Sequence, residues 1–312
     1  MGSIGGMSSE LRERAALVAL LQRPGAKWAE IALSILEQGS AVAVLNGEMR
    51  IQETLFADTD PVESAITKAE HALAEWEALG IGVRTCLDED YPSQLRGIHQ
   101  MPPILFFRGR LMEERRAIAV VGTRQASENG LRIASTVARE LAVNGVTVVS
   151  GLAKGIDTAA HRAALGAGGR TVAVIGTGIN QFYPAENHRL QEQISREGLV
   201  ISQFWPDTPP SQKTFPMRNA VMSGYAAATV VVEAPWKSGA RIQARLALEH
   251  GRPVVMPDHL LEHDWARAYA ERPGVHVVSS LSELLSVVER LINRLNAGPD
   301  SLPEIPAFAW SN

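Results

Sequence analysis

Four short stretches of this chain each set a cation beside glycine, hydroxyl or amide residues. The first is Gly122-Thr123-Arg124. Glycine admits close backbone approach, threonine adds a hydroxyl, and arginine offers a planar fork that fits phosphate. The second is Ser150-Gly151-Leu152-Ala153-Lys154-Gly155-Ile156-Asp157, small residues and a lysine opening a helix that runs on through His161. The third, read as a loop, is Thr214-Phe215-Pro216-Met217-Arg218-Asn219, which puts an aromatic ring, a guanidinium and an amide together. The fourth ends in Lys237-Ser238-Gly239, just before another helix. Cations and helix-start amides hold phosphate, a ring stacks on a base, and an amide reads a base edge. The chemistry these residue types share is the binding of a nucleotide.

Taken singly, none of the stretches is specific. A glycine after a strand makes a tight turn, an isolated lysine such as Lys154 is a solvated charge, and an isolated Phe215 is core. Their common position, at the carboxyl ends of strands or at a helix entrance, is what joins them. Rival motifs fail on spacing. GLAKGID lacks the GxxxxGK[ST] order of a Walker A loop. Gly176-Thr177-Gly178 has two glycines of a dinucleotide fingerprint but Gln181 where the third belongs, so NAD is disfavoured. No HExxH pattern suggests zinc, and Ser150 is outside any GxSxG elbow, so Ser150 and His161 are not read as nucleophile and base. No catalytic residue, metal or cofactor is expected.

The elements that must position these stretches follow from periodicity. Short β-branched runs at 83–86, 104–107, 117–122, 146–150, 171–176, 200–202, 229–233, 253–256 and 275–278 alternate with amphipathic helices near 128–144, 156–167, 186–197, 218–226, 239–250 and 281–295. This rhythm predicts an α/β fold: an extended Rossmann-like, doubly wound and mostly parallel sheet that binds ligands at strand carboxyl ends. Residues 1–78 are read as a small helical accessory domain of the SAM-like kind, 79–296 as the Rossmann-like domain, and 297–312 as a proline-rich tail, loosely ordered or docked as a strap.

The 312 residues suit two folded parts, and 46% hydrophobic with 21% charged residues excludes disorder, collagen and coiled coil. No run of about 18 apolar residues spans a bilayer and no secretory signal is read, so a cytoplasmic protein without membrane contact is expected. A net charge of -4 requires any polyanion to meet a local concentration of Arg and Lys. The single cysteine, Cys86, reads as a buried thiol.

The runs VVGTRQASENG, VVSGLAKGIDTAAHRAAL, GTGINQFYPAENHRL, FPMRNAVMSG and VVEAPWKSGARIQARLALEHGRPV together resemble the DprA, or Smf, family of DNA-processing proteins. The resemblance covers about residues 80 to 256, entered through LGIGVRTCLDEDYPSQLRGIHQMPPILFFRG. It implies single-stranded DNA binding, protection of incoming strands, loading of RecA in natural transformation, and a homodimer. Residue by residue, it implies a DNA pocket at Gly122, Thr123, Arg124, Ser150, Gly151, Lys154, Phe215, Arg218, Asn219, Ser238 and Gly239, beside which Gly155 and Lys237 complete the phosphate loops. The chain departs from the family pattern at Ala220, Gln243 and Asp258, departures that bear on DNA affinity, with Arg241 a compensating charge. No winged-helix sequence is read after residue 296. The alternatives are a nucleotide-sensing domain and a phosphoribohydrolase-type enzyme. The hydrolases carry PGGxGTxxE where this chain reads KSGARIQARLAL, a run without a carboxylate for acid or base work.

Overall fold

The computed structural model describes residues 4–50 and 60–296. The proline-rich tail expected at 297–312 lies outside the described residues.

Four helices come first: α1 (Ile4–Leu21), α2 (Trp28–Gln38), α3 (Ala41–Arg50) and α4 (Pro61–Ala78). Asp60 starts α4 as its N-cap, accepting from Val62 N at 2.9 Å, with Pro61 at the first helical position, where its missing N–H costs nothing. The α/β part runs β1 (Gly82–Thr85), α5 (Ser93–Arg96), β2 (Ile104–Gly109), β3 (Ala117–Val121), α6 (Glu128–Val143), β4 (Thr147–Ser150), α7 (Ile156–Gly166), β5 (Thr171–Val174), α8 (His188–Glu197), β6 (Leu199–Ser202), α9 (Thr214–Tyr225), β7 (Ala228–Val231), α10 (Gly239–Glu249), β8 (Val254–Pro257), α11 (Asp264–Ala270), β9 (Val275–Val278) and α12 (Leu281–Asn296).

The nine strands of the described residues join one sheet in the order β1-β2-β6-β5-β4-β3-β7-β8-β9. From β6 to β9 every pairing is parallel, while β2 is antiparallel to both β1 and β6. The chain builds outward from β3 to β6, then returns to the opposite side of β3 as β7. The switch point therefore falls between β3 and β7, where an open α/β sheet leaves a crevice at its carboxyl edge.

Alternation along the strands divides the core. Ala119 and Val121 of β3, Val149 of β4 and Val231 of β7 pack under α9, α10 and α11. Ile118, Val120, Val148 and Val230 face the other way, onto α6, α7 and α12. On that second side, beyond α7, the four N-terminal helices share one apolar cluster with β2 and α8. Trp76 of α4 meets Phe106 of β2 edge to face at 5.0 Å, and Trp28 meets Trp205 at 5.2 Å. The helical module is thus packed onto the sheet edge through aromatic contacts.

Three elements escape the periodic reading: α3, the four-residue α5, and α11, each too short or too close to a neighbour for a 3.6-residue pattern to stand out. Strands β3, β5 and β7 end at Val121, Val174 and Val231, one to two residues before their expected limits, and Gly122 and Gly176, just past the first two, turn into the crevice. Cys86 is buried, and desolvation pushes its thiol up to about 11.

Candidate functional site

At the switch point lies a cleft of about 800 Å3, lined among others by Gly122, Thr123, Arg124, Phe215, Arg218, Asn219, Lys237, Ser238 and Gly239. Its floor is a weld of three loops. Thr123 N donates to Glu233 O at 2.7 Å, and Ile156 N donates to Thr123 O at 3.3 Å. Gly122 is required because a Cβ there would run into Ile156 and the Glu233 carbonyl. Gly155, at φ +75°, lies against the Thr123 and Arg124 carbonyls. This glycine packs the floor and lines neither compartment of the site.

The stretch expected as a loop at 214–219 is instead the opening of α9. Pro216 falls in the first turn, where its lack of an N–H is tolerated. Phe215, Arg218 and Asn219 then stand at i, i+3 and i+4, one face of one helix. That face looks into the cleft.

Arg218 is only 6% exposed. Its Nη1 donates to the carbonyls of Gly151 and of Val174, the latter at 2.9 Å, and its Nε donates to Asn219 Oδ1 at 2.9 Å. Nη2 has no hydrogen bond among the described residues. Gly151 is glycine for this reason: a Cβ would occupy the place of the guanidinium. Beneath lies Asp157, whose Oδ2 accepts from Gly151 N at 3.2 Å and Ala153 N at 3.3 Å. Burial pushes the Asp157 carboxyl above its ordinary value, against the pull of the Arg218 charge. Burial likewise lowers Arg218, with Asp157 opposing. The sequence reading made Arg218 a phosphate ligand; its donors chiefly brace the Gly151 turn against the end of β5, with one edge at the cleft.

A smaller compartment of about 50 Å3 adjoins the cleft and shares Arg124, Ala153, Phe215 and Arg218 with it, adding Gly151, Lys154, Gly176 and Tyr183. Phe215 divides the two. The Arg124 guanidinium carbon lies 5.0 Å from its ring centre, the Tyr183 ring lies at 5.6 Å, and a Cβ at Gly176 would come within 2.7 Å of Phe215 Cδ1. Lys154 is exposed and forms an ion pair with Glu186. On the other wall, Ser238 caps α10 by accepting from Ala240 N at 3.2 Å, Lys237 is exposed, and a Cβ at Gly239 would meet nothing within 4 Å. The N-terminus of α10 therefore opens to the cleft with its dipole and amides directed outward.

Ser150 does not join the site: its hydroxyl is buried and donates to Val120 O at 2.7 Å. His161 is also buried, with Nδ1 bonded to Thr171 Oγ1 at 2.7 Å, and desolvation lowers its pKa to about 3. The two make no nucleophile and base. Glu233 accepts from Ser127 N at 3.2 Å and from Ser127 Oγ at 2.8 Å, a carboxylate spent on the start of α6. The residue that sequence reasoning missed is Asp157, present in the quoted run but assigned no role; its signal was an acid in the first turn of a helix beginning at Ile156. Of the three departures, Ala220 is buried away from the cleft lining and Asp258 borders a separate pocket with Arg132 and His259. Gln243 lines the cleft, its amide satisfied when Nε2 donates to Asn219 O at 3.0 Å and Oε1 accepts from Ser223 N at 3.2 Å, tying α10 to α9.

Comparison with known proteins bears on the family and the fold. The family model for DNA recombination-mediator protein A matches residues 82–289. The chain belongs to this family. Its relatives include the DNA processing protein DprA of Streptococcus pneumoniae, 43% identical over 178 residues that cover 56% of this chain and 63% of that protein. DprA of Bacillus subtilis is 35% identical over 213 residues, 68% of this chain and 72% of the relative. Protein Smf of Escherichia coli is 42% identical over 221 residues, 70% of this chain and 58% of the relative. The matches to the S. pneumoniae and E. coli DprA/Smf proteins thus span less than two thirds of those proteins. The crystal structure of S. pneumoniae DprA superposes with a TM-score of 0.63 at 31% identity, covering 89% of this chain and 95% of that one. A Helicobacter pylori DprA structure, described for its single-stranded DNA binding mode, superposes with a TM-score of 0.61 at 25% identity, covering 67% of this chain and 96% of that one. As in the sequence, membership of the DprA family rests on the Rossmann-like part.

Proposed function

We propose that this chain binds single-stranded DNA in the switch-point cleft, through phosphates and with little sequence preference. The carrying observation is the cleft itself, which gathers Arg124, Arg218, Lys237 and the open start of α10 around one volume, with Lys154 in the adjoining compartment. The DNA binding named for the H. pylori relative supports the same ligand. Cations near a polar, glycine-lined floor bind a backbone whatever its bases, and a strand without a partner leaves its bases free to stack.

The reading is of binding without catalysis. Among the described residues that line the larger cleft, the carboxylate is Asp157, and its Oδ2 accepts two main-chain N–H bonds. An N-glycosidic hydrolase would need that group free, so purified chain is expected to release no base from nucleoside monophosphates. Steady release abolished by Asp157→Asn would promote the enzyme instead. By family likeness the proposal extends to protection of incoming DNA and RecA loading in natural transformation, in the cytoplasm and as a homodimer. Light scattering and a RecA filament assembly assay check those partners.

A gel-shift comparison tests the ligand. Single-stranded oligonucleotide is expected to bind more tightly than duplex, and free mononucleotides are not expected to displace it. Displacement by a mononucleotide at equal concentration would favour the sensor reading.

A further inference from the structure

Trp236 lies between Pro235 and Lys237, both of which line the cleft, and its indole is 62% exposed. An isolated exposed aromatic needs no explanation. This one, however, is held in place. The Arg241 guanidinium stacks on the indole at 3.8 Å from the ring centre, and its Nη1 donates to the Trp236 carbonyl. Arg241 also lies 5.6 Å from the ring of Trp265. Trp265 is buried and donates from Nε1 to Ala234 O at 2.9 Å. The result is a layered stack, Trp265, Arg241, Trp236, rooted in the core and ending in an aromatic ring that is mostly open to solvent.

Phe215 contrasts with it. That ring is half-buried, with Arg124 over it, Tyr183 beside it and Gly176 against its edge. Trp236, at 62% against 41% for Tyr183 of the smaller compartment, is the more open ring for a further base. It sits one residue before the exposed Lys237 and two before the cap of α10. A strand whose phosphates lie at Lys237, Ser238 and Gly239 has its next base beside this ring. Stacking on an aromatic tolerates any base, since every base has a π face, and a ring already fixed by a guanidinium loses little freedom when a base arrives.

We propose that Trp236 is a base-stacking platform for single-stranded DNA, extending the bound strand beyond the cleft. The proposal rests on the reading of the cleft as a single-strand site. Its test compares the full chain with Trp236→Ala and Trp236→Phe, measuring affinity for oligothymidylate and for an abasic deoxyribose-phosphate polymer of the same length, with thermal melting as a control. Trp236→Ala is expected to weaken oligothymidylate binding about 5- to 150-fold. Trp236→Phe is expected to keep most of the affinity, and abasic polymer is expected to bind both variants as it binds the parent. Unchanged oligothymidylate affinity in Trp236→Ala would overturn the platform, as would an equal loss on both polymers. An altered oligomeric state with unchanged DNA affinity would also overturn it, making the ring a protein contact. A parent chain that binds neither polymer would overturn the single-strand reading as well. Binding of the parent to abasic polymer with a silent Trp236→Ala would remove the platform alone.

Discussion

The Arg124 guanidinium carbon stands 5.0 Å from the centre of the Phe215 ring, and the pair separates the two compartments of the cleft. A cation over an aromatic face is attracted by the ring quadrupole, at about 0.5–1 kcal/mol where solvent reaches it. Arg124 is exposed and has no ion pair among the described residues, so it is a cation ready for a phosphate. Arg124→Ala is expected to weaken single-strand binding and to reduce the salt slope by about 0.7, one phosphate contact, with little change in melting temperature. A salt slope identical to that of the parent would assign Arg124 to packing.

Arg218 behaves differently despite lying in the same cleft. Removing a guanidinium that is buried against Asp157 and bonded to the Gly151 and Val174 carbonyls leaves those groups uncompensated. Arg218→Ala is expected to cost about 1–3 kcal/mol of stability, read by urea denaturation. Gly151→Ala attacks the same contact from the other side and is expected to destabilise too, because its methyl group displaces the guanidinium. Denaturation midpoints equal to the parent in both variants would refute the brace.

Phe215→Ala removes a half-buried wall that touches Gly176, Tyr183 and Arg124. A loss of about 1–3 kcal/mol in stability is expected. If the ring also stacks on a base, affinity measured on the same sample falls by roughly 5- to 150-fold. A lowered melting point with unchanged affinity would confine Phe215 to packing.

Lys154 and Glu186 form an ion pair at the mouth of the smaller compartment, both side chains more than half exposed. Such pairs are weak and yield to a better anion. Glu186→Gln frees the lysine, and single-strand affinity at low salt is expected to rise roughly two- to five-fold. A fall in affinity would show that the pair positions Lys154 for its ligand.

Acid stability is expected to depend on His161. The folded state holds its ring neutral to about pH 3, against an ordinary value of 6.5, because burial disfavours the charge. Thr171 Oγ1 donates to Val148 O, so the imidazole donates from Nδ1 to Thr171 Oγ1. The Ser150 backbone favours the charged ring, and burial outweighs it. The unfolded chain takes up a proton below pH 6.5 that the folded chain refuses. Stability present above pH 6.5 is therefore lost progressively as pH falls toward about 3. Asp157, raised by burial, works in the opposite sense. In urea denaturation, His161→Gln is expected to flatten the decline over this window; an equally steep decline would assign the acid sensitivity to other groups.

How much of this could be read from the residues varies with the physics involved. Each expected strand is present because a β-branched run between turn residues is a local signal, and the glycine loops fell at strand ends for the same reason. FPMRN was legible as a set of residue types but misread as a loop, since Pro216 looks like a breaker until it is seen in a first turn. The burial of Arg218 and Ser150 was not legible, because it depends on which carbonyls a distant strand presents. Nor was the Arg241 stack, whose partners Trp236 and Trp265 meet only through the fold.

The central claim is that phosphate contacts in the switch-point cleft hold single-stranded DNA. Its most direct test is the affinity of the full chain for a single-stranded oligonucleotide across a salt series. Log affinity is predicted to fall linearly with log salt, by about 0.7 for each phosphate neutralised, and the slope is predicted to shrink in Arg124→Ala. Affinity independent of salt, or no binding of the strand at low salt, would contradict it.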